Sequence, residues 1–138
     1  MFITRECDYA MRVIRALSGR ERLSVNEICE KECVTAPFAY KILKKLQKAK
    51  IVRGYRGVHG GYSMNRDLDK LSLYDIYSAI DPDMFIIEYL DPEYHCIRDG
   101  QDGIPCRVHH ELADIQEELC EMLKRRTLSE LLKDDEQN

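Results

Sequence analysis

The sequence predicts a mainly α-helical fold with a small β-hairpin wing: a winged helix-turn-helix followed by a long dimerisation helix. Three observations carry this. Apolar residues recur with helical spacing in three short segments before residue 50, each opened by a capping residue or a proline. The run "IVRGYRGVHGGYSMN", residues 51–65, then sets four glycines among β-prone residues. Towards the C-terminus Val108, Leu112, Ile115, Leu119 and Met122 repeat at spacings of four, three, four and three, the a/d seam of a coiled coil. A chain of 138 residues supports one core of normal size with an appendage, not two independent cores.

The first helix lies in "TRECDYAMRVIRALS", with Thr4 as N-cap, Ile3, Tyr9, Val13, Ala16 and Leu17 on the inner face, and an end at Ser18-Gly19. Ser24 followed by Glu27 is a capping-box pattern that opens the second, which turns Val25 and Ile28 inward and carries Cys29 and Cys33. The third starts at Pro37, buries Phe38, Ile42, Leu43 and Leu46, and points Lys41, Lys44, Lys45 and Lys48 outward. Ile51-Val52 and Tyr62-Ser63-Met64 are the arms of the hairpin, and Ser72 caps a fourth helix that closes on Asp81-Pro82. The expected organisation is a DNA-binding domain over 1–82, a sensory or ligand loop over 83–107, and a dimerisation helix with a frayed tail over 108–138.

The composition, 33% charged and 44% hydrophobic, is that of a globular protein, and no apolar run reaches the roughly 18 residues of a membrane span. With no export signal read in the sequence, a cytoplasmic location and reduced cysteines are expected. The net charge of −4 conceals an asymmetry. Residues 1–66 hold fourteen Lys and Arg against six Asp and Glu, whereas residues 67–138 hold seven against nineteen. From Cys33 to Arg66 there are eight basic side chains and no acidic one, a face that attracts a polyanion.

Three helices and a hairpin in this order place the third helix in a major groove and the wing along the backbone or minor groove of a duplex. Lys41, Lys44, Lys45 and Lys48 on the helix and Arg53, Arg56 and His59 on the wing are the candidate phosphate contacts, with Tyr40 and Lys41 placed to reach base edges. Tyr9, Phe38 and Tyr62 fall on apolar positions and read as core. No nucleophile–base–acid constellation or phosphate loop is present, which argues against an enzyme.

"CDYAMRVIRAL", "FAYKILKKLQKAKIVRGYRGVHGGYSM", "LSLYDIYSAID" and "CRVHHEL" together resemble the Rrf-type winged-helix transcriptional regulators, the family of the iron–sulfur regulators IscR and NsrR and the cysteine-metabolism repressor CymR. The resemblance extends to about residue 122, and its most specific element is the wing segment Arg56 to Tyr62. It implies a DNA-binding regulator, a repressor, that acts as a homodimer with cross-paired long helices on a palindromic operator, and it implies that Arg56 enters a minor groove.

"HCIRDGQDGIPCRVHHE", residues 95–111, concentrates ligand-type side chains. Cys96 and Cys106 are separated by nine residues, and His109 follows Cys106 as C-x-x-H. Thiolates with imidazole suit an iron–sulfur cluster or zinc. In cluster-bearing members of the resembled family three cysteines of this loop bind the cluster. Here the middle one is absent, leaving Cys96, Cys106 and His109, with Asp8 at the position from which some members supply a carboxylate from the other subunit. Two thiolates in a mixed ligand set favour [2Fe–2S] over [4Fe–4S]. His95 and His110 are alternative ligands. A metal-free thiol switch responsive to cysteine status, and a small iron–sulfur redox protein that uses its basic half for docking, are the competing readings.

Overall fold

The structure, a computed structural model, describes residues 3–19, 22–84 and 106–133. His95 and Cys96, with most of the expected ligand loop, lie outside the described residues.

Four of the six α-helices among the described residues begin where a side chain takes up an otherwise unpaired amide. Thr4 Oγ1 accepts from the Cys7 N–H at the start of α1 (Arg5–Leu17). Ser24 and Glu27 form a reciprocal capping box on α2 (Val25–Glu32), and Ser72 and Asp75 form another on α4 (Leu73–Ile80). The helix between them, α3 (Ala36–Lys48), starts one residue before the expected Pro37. Cys33 is not inside α2 as its spacing suggests. It is exposed past the helix end at φ 55°, where Val34 N–H reaches back to the Cys29 carbonyl at 3.2 Å in a Schellman closure that glycine usually makes.

The core forms around α1, which buries Cys7, Ala10, Val13, Ile14, Ala16 and Leu17 at no more than 1% exposure and packs against α2, α3 and α4. Its small residues Cys7, Ala10 and Ala16 allow close approach. The α3 helix turns Ala39, Ile42, Leu43 and Leu46 into this core. Phe38 departs from the expected burial: it is 41% exposed and stacks on Tyr9 at 5.3 Å between ring centroids, with Ala39 taking the inward position. Ile3, ahead of the helix cap, is also exposed rather than inward. Arg15 on α1 grips the buried Glu32 at the end of α2 through Nε, at 3.0 and 3.2 Å, and through Nη2.

The wing is an antiparallel pair, β1 (Val52–Tyr55) and β2 (Gly61–Met64), with Val52 opposite Met64 and Tyr55 opposite Gly61. Leu23 adds a third edge, donating to the Tyr62 carbonyl at 3.0 Å and accepting from its N–H at 2.8 Å. That contact demands glycine at 61, where φ is +142° and an added Cβ would lie 2.5 Å from the Leu23 carbonyl oxygen.

A 3₁₀ turn, Leu68–Lys70, leads from the wing to α4. The long helix α5 (Arg107–Lys124) packs on α4 and buries none of its own residues fully. The expected seam is divided. Leu112 and Leu119 are half-buried, while Val108, Ile115 and Met122, seven residues apart, are 68%, 39% and 56% exposed. A short helix that periodicity does not announce, α6 (Leu128–Leu132), then returns to the core with Leu128 and Leu132. Leu128 N–H donates to the Leu71 carbonyl at 2.8 Å.

Gly61→Ala is expected to destabilise the fold by about 2–3 kcal/mol through backbone strain and the clash with Leu23. Urea denaturation of the two proteins measures it.

Candidate nucleic-acid interface

The buried face of α3 determines which side chains it offers. With Ala39, Ile42, Leu43 and Leu46 inward, Tyr40, Lys44, Gln47 and Lys48 form an exposed strip, and Tyr40 is 56% exposed. Lys44 and Lys48 have no ion-pair partner among the described residues.

Lys41 and Lys45 lie on the flank facing α1 instead. The Glu6 carboxylate receives Lys41 Nζ at 2.5 Å on one oxygen and Lys45 Nζ at 2.8 Å on the other. Lys45 also donates to the carbonyl of Ile80, at the end of α4, at 3.2 Å. Hydrogen bonds from Lys41 and Lys45 hold the Glu6 carboxyl below its ordinary pKa. The stabilisation is therefore present above the ordinary carboxylate range and is lost as pH falls through the lowered value. The four lysines expected on one solvated arc are two free and two pinned.

On the wing, Arg53, Arg56 and His59 are exposed, and Val58 at the tip is 99% exposed. Gly57, at φ +96°, and the hydrogen bond from Gly60 N–H to the Gly57 carbonyl at 3.0 Å shape that tip. Its orientation depends on Arg22, a residue that the sequence pattern does not single out. The Arg22 guanidinium lies 3.5 Å from the Tyr55 ring centroid, and Nη1 donates to the His59 carbonyl at 3.0 Å. A hydrogen bond to Ser63, with the nearby Arg53 and Arg22 cations, holds the Tyr55 phenol below its ordinary range. The signal for Arg22 is long-range, since its partners lie more than thirty residues on in the chain.

The described ligand-type residues do not converge within one chain. Cys106 is the half-buried N-cap residue of α5, and no cap hydrogen bond from its side chain is formed. His109 follows one turn on, its Nδ1 buried without a hydrogen-bond partner among the described residues. His110 is exposed, its ring edge-on to that of His109 at 6.3 Å. Asp8 is exposed on α1 and pairs with Arg12 at 3.3 Å. Among the described residues no three His, Cys, Asp or Glu side chains form a metal-sized group. Cys120 is half-buried against other residues of the fold, and burial pushes its thiol pKa up, which suits packing rather than reactivity.

Comparison with known proteins matches residues 3–134 to the family model Rrf2, described as an iron-dependent transcriptional regulator. The HTH-type transcriptional regulator IscR of Sodalis glossinidius is 27% identical over 128 residues, covering 92% of this chain and 74% of that protein. Among solved structures, IscR of T. potens superposes with a TM-score of 0.73 at 20% identity, covering 98% of this chain and 88% of the other. CymR, the global cysteine regulator of B. subtilis, superposes at 0.72 and 19% identity, covering 96% of each chain. These proteins carry the same arrangement of helices and hairpin, and the related sequences are transcriptional regulators rather than enzymes. Among the described residues no helix is long and apolar enough to cross a membrane.

Arg22→Ala is expected to loosen the wing tip and spare the core. Loss of about 1 kcal/mol of local stability corresponds to roughly fivefold faster amide exchange at Gly60, with exchange in α3 unchanged. Hydrogen exchange followed by NMR checks both.

Proposed function

The chain belongs to the Rrf2 family of transcriptional regulators, and from that premise we propose that it binds a palindromic operator as a homodimer and reports an iron–sulfur or redox signal from the head of α5. The observation that carries the DNA-binding part is the exposed strip Tyr40, Lys44 and Lys48 on α3, with Arg53 and Arg56 on a wing braced from below. Strip and wing together can meet phosphates on both sides of a groove while Tyr40 reaches its floor.

The open line of Val108, Ile115 and Met122 supports the homodimer, because a seven-residue repeat of exposed apolar side chains suits a second, identical helix. A two-fold axis relating two such helices would present two α3 helices to two half-sites. In this reading 1–82 is the DNA-binding part, 83–107 the ligand loop and 108–138 the dimerisation part.

For the signal, the donor set fits a soft metal centre. Cys106 would supply a thiolate, and His109 has a buried ring nitrogen without a hydrogen-bond partner among the described residues. Cys96 of the same subunit and Asp8 of the partner subunit would complete the proposed ligands. Two thiolates, an imidazole and a carboxylate would hold a [2Fe–2S] cluster, with zinc as the alternative. When bound, such a cluster supplies a one-electron couple sensitive to oxidants. The chain's own contribution is to hold Cys106 at the N-cap and His109 in the first turn of α5, the helix that also carries the proposed dimer seam. The state of the centre and operator affinity are then linked reciprocally.

Lys44→Ala and Arg56→Ala should each weaken binding to a duplex selected from a random library and flatten the dependence of log K on log salt by about 0.9 for each phosphate no longer neutralised. Unchanged affinity and slope in both would reject the DNA-binding reading.

Protein purified without oxygen should carry iron and sulfide in equal amounts and absorb in the visible region, and Cys106→Ala or His109→Ala should lose most of both. A colourless, metal-free wild type would reject the cluster and leave a thiol-based signal at the α5 head.

A further inference from the structure

We propose that Glu6 is an intramolecular competitor of the DNA backbone, holding Lys41 and Lys45 off phosphates so that α3 offers two free lysines to a duplex rather than four. The inference rests on the DNA-binding reading and concerns how strongly that surface binds any sequence.

Its basis is geometric. Glu6 sits in the first turn of α1, fixed there by the Thr4 cap, and its side chain is 26% exposed. Each carboxylate oxygen takes one lysine, so both are satisfied by the same helix face of α3. Lys45 is further tied by its bond to the Ile80 carbonyl, which leaves it anchored to α1 and α4 at once. A phosphate approaching either ammonium would come within a few ångströms of the Glu6 charge. Two like charges about 4 Å apart repel by about 1 kcal/mol in water and more beside a protein surface. Lys44 and Lys48 face no such competitor among the described residues. The sequence between Cys33 and Arg66 is wholly without acids, yet the fold imports one from α1 onto two of that segment's lysines.

Sequence-independent binding grows with the number of free cations, so one carboxylate that engages two lysines and cancels one of their two charges lowers it. Removing the carboxylate frees the Lys41 ammonium and leaves Lys45 with its bond to the Ile80 carbonyl, without altering the exposed strip.

The test uses the full chain, a random-sequence duplex of about 30 base pairs and fluorescence anisotropy across a salt series. Glu6→Gln, of nearly the same shape, should bind this duplex about three- to tenfold more tightly at low salt, with a log–log salt slope steeper by about 0.9 or more per protomer. In a Lys41→Gln, Lys45→Gln background the same substitution should change neither quantity. Equal affinity and slope for Glu6→Gln and wild type would overturn the proposal, as would a gain that persists in that background. Should Glu6→Gln fail to fold, the wild type carries the test through the ¹³C shift of the Glu6 carboxyl. That shift should stay constant when random duplex is added, and movement to the value of a carboxylate without its cations would overturn the proposal. A wild type with no salt-dependent duplex binding defeats the DNA-binding reading and this inference together; a binding wild type matched by Glu6→Gln defeats this inference alone.

Discussion

The packing of α3 on α1 is the contact on which the rest of the molecule depends. A helix has one rotational setting that buries Ala39, Ile42, Leu43 and Leu46 together, and that setting decides which lysines face solvent and which face Glu6. Small residues of α1, Cys7 and Ala10 among them, are wholly buried in the core around this contact, so a larger side chain at either would overpack it. The wing follows from the same contact, because β1 begins directly after α3 and β2 is tied to Leu23, at the junction of α1 and α2.

Much of this is legible in local chemistry. Thr4, Ser24 and Ser72 announce helix starts because a capping side chain acts on amides two or three residues away, and Gly57 and Gly61 of the wing answer to backbone conformations that few other residues tolerate. Features that depend on residues distant in sequence are not legible. The Glu6 clamp joins positions 35 and 39 residues apart, and the Arg22 brace reaches His59 across 37. Spacing alone turns Phe38 inward. It sits at the border of the buried arc, where Tyr9 rather than the core receives it. The five-residue α6 is too short to show a period, and its place in the core is decided by Leu71 on a different part of the chain. Of the candidate ligands, Cys106 and His109 are legible as a pair because one helical turn separates them. Their proposed relation to Asp8 would arise only between subunits, beyond the reach of one chain's periodicity.

The arrangement also links the two ends of the molecule by direct contact. From α5 the packing passes to α4, from the last carbonyls of α4 to Lys45, and from Lys45 through Glu6 to Lys41. Ile80 is one point where the helix that meets α5 also touches the basic helix α3.

The bond from Leu128 to Leu71, just beyond α5, with Lys124 lying 4.4 Å from the Tyr74 ring centre, ties down the C-terminal end of α5, and a rotation of the helix with that end as fulcrum would use it as a lever. Eighteen residues at about 1.5 Å each make an arm of about 27 Å, so a tilt of about 10° about that fulcrum sweeps the Cys106 end through about 5 Å. A small rotation at the anchored end is thus a large displacement at the other, and a constraint of a few ångströms on Cys106 and His109 fixes the angle of the whole arm to within a few degrees.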